Sequence, residues 1–474
     1  MAHSVHHEST STALLLSGVP VPLDIILCIF ACCDIASVVS VAQTCRDLHG
    51  LAFTKIVWLD LLDDLRRRMI LDRNCTPDLQ ILSMAEMIGV VKRLNTGPQT
   101  WSPGELDSVA EMSRRITLDP AIKQEDSYRN ITKLLRSGRY VLFTNSGRLE
   151  CWSVVGGILV WTHTSAIQDI EVHEFTAEET ETNVTIMLCI RTSPNNAANW
   201  NYVEMVNLDF QTGTHTSLFI ARGPDSEHNN VFSDPAICGA LAVVRMAVDL
   251  GENLHMIVNW EENLYFILDG VNGDPELPLY VALFPGHLLL NEGGDQLYLI
   301  SGDGLQTYWA PTIGPAGPAP SSLVSVEDVP RLSTFDAFED EDFGEVYVHK
   351  SVIRAGDYSV WIYGTNHVDK PALLSYRLSF STNGEHEWYR RTGSVVEPED
   401  LGAFAQFVTY CGHRVYTGSY QAPVYTILSA ASTSPGTVRV ALPQIAGGQH
   451  VDIAPYSGAL TYSTDSAVVI EYYQ

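Results

Sequence analysis

Along the first seventy residues the apolar positions recur with a helical period. Leu23, Ile26, Leu27 and Phe30 fall at i, i+3, i+4 and i+7 and so share one helix face, with Pro22 suited to the first turn. Ile25 and Ile29, four apart, lie on another side of the same helix. The helix is therefore apolar on two faces, and its own domain can cover only one of them. Asp34 has the chemistry of an N-cap for a second helix carrying Val38, Val41, Ala42 and Cys45. Leu48, Leu51 and Ala52 continue the pattern, followed by Trp58, Leu61, Leu62 and Leu65. About forty residues cannot bury this much apolar surface alone, and exposed apolar helical surface marks a protein interface.

The helical reading extends through residues 66–137, a connector in which Ser102, Pro103 and Glu105 have the order of a capping box ahead of Leu106, Val109, Ala110 and Met112. After Arg139 the period shortens to that of strands. Tyr140–Thr144 runs into the turn Asn145-Ser146-Gly147, Leu149–Val154 returns, and Ile158–Trp161 follows Gly156-Gly157, a three-stranded meander. Similar pairs recur at Val184–Ile190 with Tyr202–Leu208, Leu241–Val248 with Leu254–Trp260 and Leu264–Leu268, and Leu288–Asn291 with Leu297–Ile300 and Leu305–Trp309. They continue at Tyr358–Gly364 with Leu373–Leu378, Val415–Gly418 with Val424–Leu428, and Leu460–Ser463 with Val468–Tyr473. Seven units result, with turns spaced by 50, 55, 42, 74, 53 and 45 residues.

Those intervals bracket the ~40 to 50 residues of a propeller blade, and a closed ring buries many strands without long exposed edges. The long interval holds Pro311, Pro315, Pro318 and Pro320 and then Asp336, Glu339, Asp340, Glu341, Asp342 and Glu345, which read as a solvated acidic and proline-rich insertion over 310–345. The last unit ends with its third strand, so Ile116–Leu118, or a neighbouring segment ahead of the first unit, is predicted to supply the missing outer strand. The fold class is α+β multidomain: a tail over 1–17 predicted to be disordered, a small all-α module over 18–65, the connector, and an all-β propeller over 138–474 with about seven blades, six being the alternative.

Val21-Pro22-Leu23-Asp24-Ile25-Ile26-Leu27-Cys28-Ile29-Phe30, then Cys45-Arg46-Asp47-Leu48, then Trp58, together resemble an F-box. Two departures are Val21 for the usual Leu and Cys33 for a larger aliphatic residue. The resemblance implies docking on the Skp-type adaptor of a Skp/cullin/F-box ubiquitin ligase. Its contacts would be Pro22, Leu23, Ile25, Ile26, Leu27, Ile29, Phe30, Val38, Val41, Cys45, Arg46, Leu48 and Trp58. The second region resembles the divergent propellers found behind F-boxes. Gly286-His287 and Gly412-His413 echo the Gly-His pair of WD repeats, but none of the nine tryptophans is followed by Asp.

Charge separates the two regions. Against 28 Lys and Arg stand 56 Asp and Glu, a formal net charge of -28, yet residues 1–137 carry 14 basic and 16 acidic side chains. Nearly all of the excess lies in the repeat region, which makes nucleic acid and anionic lipid poor partners and steers basic targets toward it. Arg66-Arg67-Arg68 and Arg114-Arg115 read as solvated basic faces balanced by Asp60, Asp63, Asp64 and Glu111. Thr12–Cys33 is broken by Pro20, Pro22 and Asp24, so neither a signal peptide nor a membrane span is expected. Nine cysteines without a Cys-x-x-Cys pair fit reduced thiols of the cytoplasm or nucleus.

No Gly-x-Ser-x-Gly elbow, phosphate loop or His-Glu-x-x-His is present. No catalytic residue, metal or cofactor is expected, and His3, His6 and His7 belong to the tail. The reading is a non-catalytic substrate receptor that captures a target protein on the propeller, with Trp200 and Tyr420 as candidate anchors. Its alternatives are an F-box scaffold without a degradation target and a propeller glycoside hydrolase with a helical appendage.

Overall fold

The computed structural model describes residues 13–16, 19–76, 78–101, 108–122, 130–192, 200–223, 232–247, 253–270, 279–291, 296–312, 323–336, 342–365, 371–381, 385–396, 405–417, 424–429, 438–441 and 451–474. A hairpin of Ala13–Leu16 with Val19–Pro22 leads into helices α1 (Leu23–Ala31), α2 (Ile35–Ala42), α3 (Arg46–Ala52), α4 (Lys55–Arg67) and α5 (Met84–Thr96). The hairpin corrects the disordered tail for its last residues, because Leu14-Leu15-Leu16 finds a backbone partner in Val19–Val21. Asp34 caps α2 as predicted, accepting from the Ser37 backbone N–H at 2.7 Å, whereas Pro22 is the residue before α1 and not its first.

The remaining chain forms, among the described residues, seven sheets of four or more strands, each built on an antiparallel meander; the fourth and seventh take their last strand from elsewhere in the chain, and the third and sixth each add a short parallel strand. The first holds Thr132–Leu134, Tyr140–Asn145, Arg148–Ser153 and Ile158–Thr162; the second Ile170–Glu179, Asn183–Thr192, Asn201–Asp209 and Thr214–Arg222. The third holds Ser233–Cys238, Leu241–Ala247, Asn253–Asn259 and Leu264–Asp269; the fourth Tyr280–Phe284, His287–Asn291, Gln296–Ser301 and Ser333–Asp336. The fifth runs from Asp342–Lys350 through Asp357–Thr365 and Pro371–Phe380 to His386–Val396, and the sixth from Ala405–Val408 through His413–Thr417 and Val424–Ser429 to Val438–Ala441.

The seventh sheet has only Val451–Ile453, Leu460–Ser463 and Val468–Tyr473 from its own stretch of chain. Its outer strand is Met112–Leu118, antiparallel to Val468–Tyr473 with Ile116 opposite Ile470. Leu118, Leu134, Val141, Phe143, Val468 and Ile470 then share one core between the seventh sheet and the first. The first six sheets pack each on the next, the Tyr410 turn of the sixth meets Pro455 and Tyr456 of the seventh, and the seventh packs on the first, which is a β-propeller closed by a strand from ahead of the ring.

That closure corrects the connector. Among the described residues of the connector, helix ends at α5 and a short 3-10 turn, Gln99–Trp101; Ser108–Val109 joins the sixth sheet, and Met112–Leu118 the seventh. The capping box at Ser102-Pro103-Glu105 lies outside the described residues. A full capping box occurs instead at Ser83 and Glu86, opening α5. The helical spacing around Val109 and Met112 yields to unpaired sheet edges whose backbone groups demand partners, that of Val438–Ala441 for Val109 and that of Val468–Tyr473 for Met112.

The insertion is also partly built in. Leu323–Ser325 runs parallel to Leu264–Asp269, Val326 and Val329 are buried against the third and fourth sheets, and Ser333–Asp336 is the outer strand of the fourth. Leu305–Trp309 is a 3-10 turn and its continuation, not a strand. No helix among the described residues is long and apolar enough to cross a membrane.

A buried carboxylate pins the closing strand. Glu471 is almost fully covered, accepts from the hydroxyls of Tyr462 at 2.9 Å and Tyr473 at 2.7 Å, and takes the Arg115 guanidinium, whose Nε is 2.9 Å away. Removing one partner of a buried ion leaves its desolvation uncompensated. Arg115→Met is expected to cost about 2 kcal/mol in urea unfolding, and the added change Glu471→Gln to recover part of it. An Arg115→Met protein as stable as wild type would show that the pair does not hold the closure.

Candidate interaction surfaces

Ile26 and Phe30 of α1 enter one core with Val38, Leu48, Trp58, Leu61, Leu62, Met87 and Leu94. The sequence-predicted adaptor contacts Ile26, Phe30, Val38, Leu48 and Trp58 are therefore core residues, buried because they occupy the inward positions of their helices. Leu23, Leu27 and Val41 are half-buried at the edge of that core. Pro22, Ile25, Ile29, Cys45 and Arg46 are exposed. Ile25 at 52% and Ile29 at 53% exposure form an apolar stripe along the outer side of α1, and Ile56 of α4 is 55% exposed. The periodicity identified the α1 stripe but missed Ile56, whose neighbours Val57 and Trp58 face inward.

The helical module is fastened to one face of the ring. Its core includes Val352, Tyr410 and Tyr456, from turns between first and second strands of the fifth, sixth and seventh sheets. Ala36 N–H donates to the Ile353 carbonyl at 3.1 Å, Ala355 N–H to Asp34 Oδ2 at 3.2 Å, and Arg68 to the Ser351 carbonyl. Arg66 and Arg67 pair with Asp63 and Asp64 and Arg114 donates to the Asn74 carbonyl, whereas Arg68 and Arg115 reach the ring at Ser351 and Glu471, so the two basic clusters are only in part the solvated faces expected of them.

Asp72 is the hub on the far side. Its carboxylate accepts from the Tyr472 hydroxyl at 3.0 Å and the Asn74 N–H at 2.8 Å, while the Arg73 N–H reaches the Ser137 carbonyl at 2.8 Å. Burial pushes Asp72 up to about 6. Gly138, at φ +71°, stands where a Cβ would lie 1.9 Å from Asp72 Oδ1, so only glycine permits this approach.

Around the ring axis the first strands present charge. Lys350 Nζ of the fifth sheet lies 3.7 Å from Glu178 Oε1 of the second, bridging sheets that are not neighbours, and the Gly239 N–H donates to Glu178 Oε2 at 2.7 Å. Farther along the same strands, Glu174 Oε2 accepts from the Asp234 N–H at 3.0 Å, and Arg245 pairs with Asp234 at 3.0 Å. Burial, then the Asp234 charge, push Glu174 up to about 7; burial likewise raises Glu345. Sequence reading passed over these residues because carboxylates are abundant throughout the repeat region. The signal was there in the strand Ile170–Glu179, where His173 and Glu174 interrupt the apolar Val172 and Phe175.

Of the predicted target anchors, Tyr420 lies outside the described residues. Trp200 is half-buried at the start of a second-sheet strand, with the Arg222 guanidinium 3.6 Å from its ring centroid. One face of its indole is thus already occupied by a cation.

Two constellations invite a catalytic reading, and neither has the geometry. Ser217 Oγ donates to Glu204 Oε1 at 3.2 Å and His163 Nε2 lies 3.2 Å from Glu204 Oε2, which puts the carboxylate between hydroxyl and imidazole and denies the histidine the serine proton. Cys411 Sγ lies 2.9 Å from His413 Nδ1, but burial pushes the thiol up and the imidazole down to about 4, so both are neutral. Among the described residues no three His, Cys, Asp or Glu side chains are placed to hold a metal ion.

No family of known proteins and no curated protein matches the chain. Among solved structures it is similar to the β-propeller domain of Cps50 (Swd1) from Myceliophteria thermophila, at 7% identity over 75% of this chain and 99% of that one, with a TM-score of 0.46. It is also similar to a chain of the mitotic checkpoint complex, at 11% identity over 79% and 96% with a TM-score of 0.41. The WD40 domain of SCAP from fission yeast matches at 10% identity over 78% and 97%, with a TM-score of 0.38. The propeller architecture stands on the sheet topology itself.

The sign of the Glu174 shift carries a prediction. A carboxyl raised above its unfolded value of 4.5 contributes stability that is full below that value and is lost as pH rises through about 7. Glu174→Gln removes that loss. The melting temperature of the variant relative to wild type is expected to rise by about 2 °C between pH 5 and pH 8. A difference that stays constant over that range would refute the coupling.

Proposed function

We propose that this chain is a substrate receptor of a Skp/cullin/F-box ubiquitin ligase, with α1 to α4 as the F-box and the seven sheets as seven blades. The observation that carries the reading is the outward stripe of Ile25 and Ile29 on a helix whose inner face, Ile26 and Phe30, is already buried. An apolar helix face held in water by a folded core calls for a partner, and the motif order names a Skp-type adaptor. The protein itself does no chemistry in this scheme. It raises the effective concentration of target lysines near a conjugating enzyme carried by the cullin.

The geometry supports a rigid receptor. Equivalent turns of four sheets, at Ser137–Arg139, Ser351–Ala355, Thr409–Gly412 and Ala454–Gly458, meet the helical module or its extension to Trp101. The module therefore occupies one face of the ring, and the opposite face is the one assigned to the target. The excess of carboxylates over the repeat region favours a basic target segment by steering.

Purified full-length protein is expected to bind a recombinant Skp-type adaptor. Ile25→Asp with Ile29→Asp should weaken that binding by about 30-fold or more, a hot-spot loss of about 2 kcal/mol, with an unchanged melting temperature because both side chains are already in water. Wild type that fails to bind the adaptor in calorimetry would refute the assignment.

A further inference from the structure

The nine cysteines divide sharply by access. Cys28, Cys32 and Cys45 are exposed, whereas Cys33, Cys75, Cys238 and Cys411 are partly covered and Cys151 and Cys189 are buried. Burial raises the pKa of all six covered thiols, Cys238 to about 11. The thiolate is the nucleophile, so these six are held back both by access and by ionisation. The exposed three lie in the helical module.

Cys28 and Cys32 are on the outer side of α1. Ile25, Cys28, Ile29 and Cys32 follow i, i+3, i+4 and i+7, so the two thiols stand within the same stripe as the two exposed isoleucines. Cys32 caps the helix while keeping helical backbone angles, and its N–H donates to the Ile29 carbonyl at 3.0 Å. Side chains four apart on a helix have Cβ atoms about 5–6 Å apart. A disulfide needs about 3.5–4.5 Å, so the pair is poorly placed to bridge to itself and is left to react with an external partner.

We infer that Cys28 and Cys32 form a thiol-modification site that takes a low-molecular-weight disulfide of the glutathione class, and that the adduct covers the Ile25 and Ile29 stripe. The cysteine thiolate attacks one sulfur of the small disulfide, whose S–S bond breaks as the protein mixed disulfide forms. The departing thiolate takes a proton from water. The protein sulfur is oxidised and half of the small disulfide reduced, and a dithiol reverses the exchange. A charged, polar adduct on an apolar face opposes docking there; this consequence rests on the adaptor-docking reading proposed above.

The test uses full-length protein carrying Cys45→Ala throughout, so that any effect belongs to α1. After treatment with oxidised glutathione, peptide mass mapping is expected to find Cys28 and Cys32 modified at least about tenfold faster than the six covered thiols, with reversal by dithiothreitol. Adaptor affinity should fall at least about tenfold on treatment. In Cys28→Ala/Cys32→Ala the ratio of treated to untreated affinity should stay at one, whatever the starting affinity. Equal modification rates at exposed and covered thiols would overturn the site, and an equal loss of affinity in the double variant would overturn its control of docking. If untreated protein does not bind the adaptor, the docking reading falls with its regulation, while the mapping still decides the site.

Discussion

The ring depends on one long-range pairing. Met112–Leu118 must reach Val468–Tyr473, more than three hundred residues away, before the seventh sheet has an outer strand. Without it, a row of backbone donors and acceptors would stand unpaired. The pairing is reinforced by side chains: Arg115 reaches the buried Glu471, which also holds the hydroxyls of Tyr462 and Tyr473. Leu118 and Ile470 then complete the core shared with the first sheet. Loop-closure entropy for so distant a contact is offset only when the adjoining sheets are in place, so closure and ring formation are one cooperative event.

The same segment of chain fixes the helices to the ring. Between α4 and the closing strand, Asp72 ties to Tyr472, Arg73 to Ser137 and Arg93 to the Tyr473 carbonyl. On the opposite side Asp34 caps α2 and also accepts from Ala355, so one carboxylate both starts a helix and docks it. Gly138 and Gly97 allow backbone approach where a Cβ would strike Asp72 or His413. Held this way, the helical module and the ring keep a constant relation to one another.

Much of this was legible in the residues. The alternation in Tyr140–Val154 and the paired runs down to Val468–Tyr473 appear as adjacent antiparallel strands in the registers the meander requires. The two-sided character of α1 was also readable, because Ile25 and Ile29 cannot share a side with Ile26 and Phe30. Three readings failed for a common reason. Val109 and Met112 were assigned to a helix, Leu305–Trp309 to a strand, and 310–345 to solvent, and in each case, for the insertion over its described residues, a neighbouring sheet edge or core took what local pattern had assigned elsewhere.

By itself the sequence determined the strand period of the repeat region, the cap at Asp34 and the segregation of negative charge into the repeat region, since all of these depend on residues close in the chain. Only the tertiary structure decided which apolar residues of the helical module face water, which strand closes the ring, and which charges meet around its axis. Lys350 and Glu178 are as far apart in sequence as unrelated residues, and their pairing exists only because the first strands of distant sheets converge on one axis. Pattern follows from local stereochemistry, whereas partnership follows from what the closed ring brings within reach.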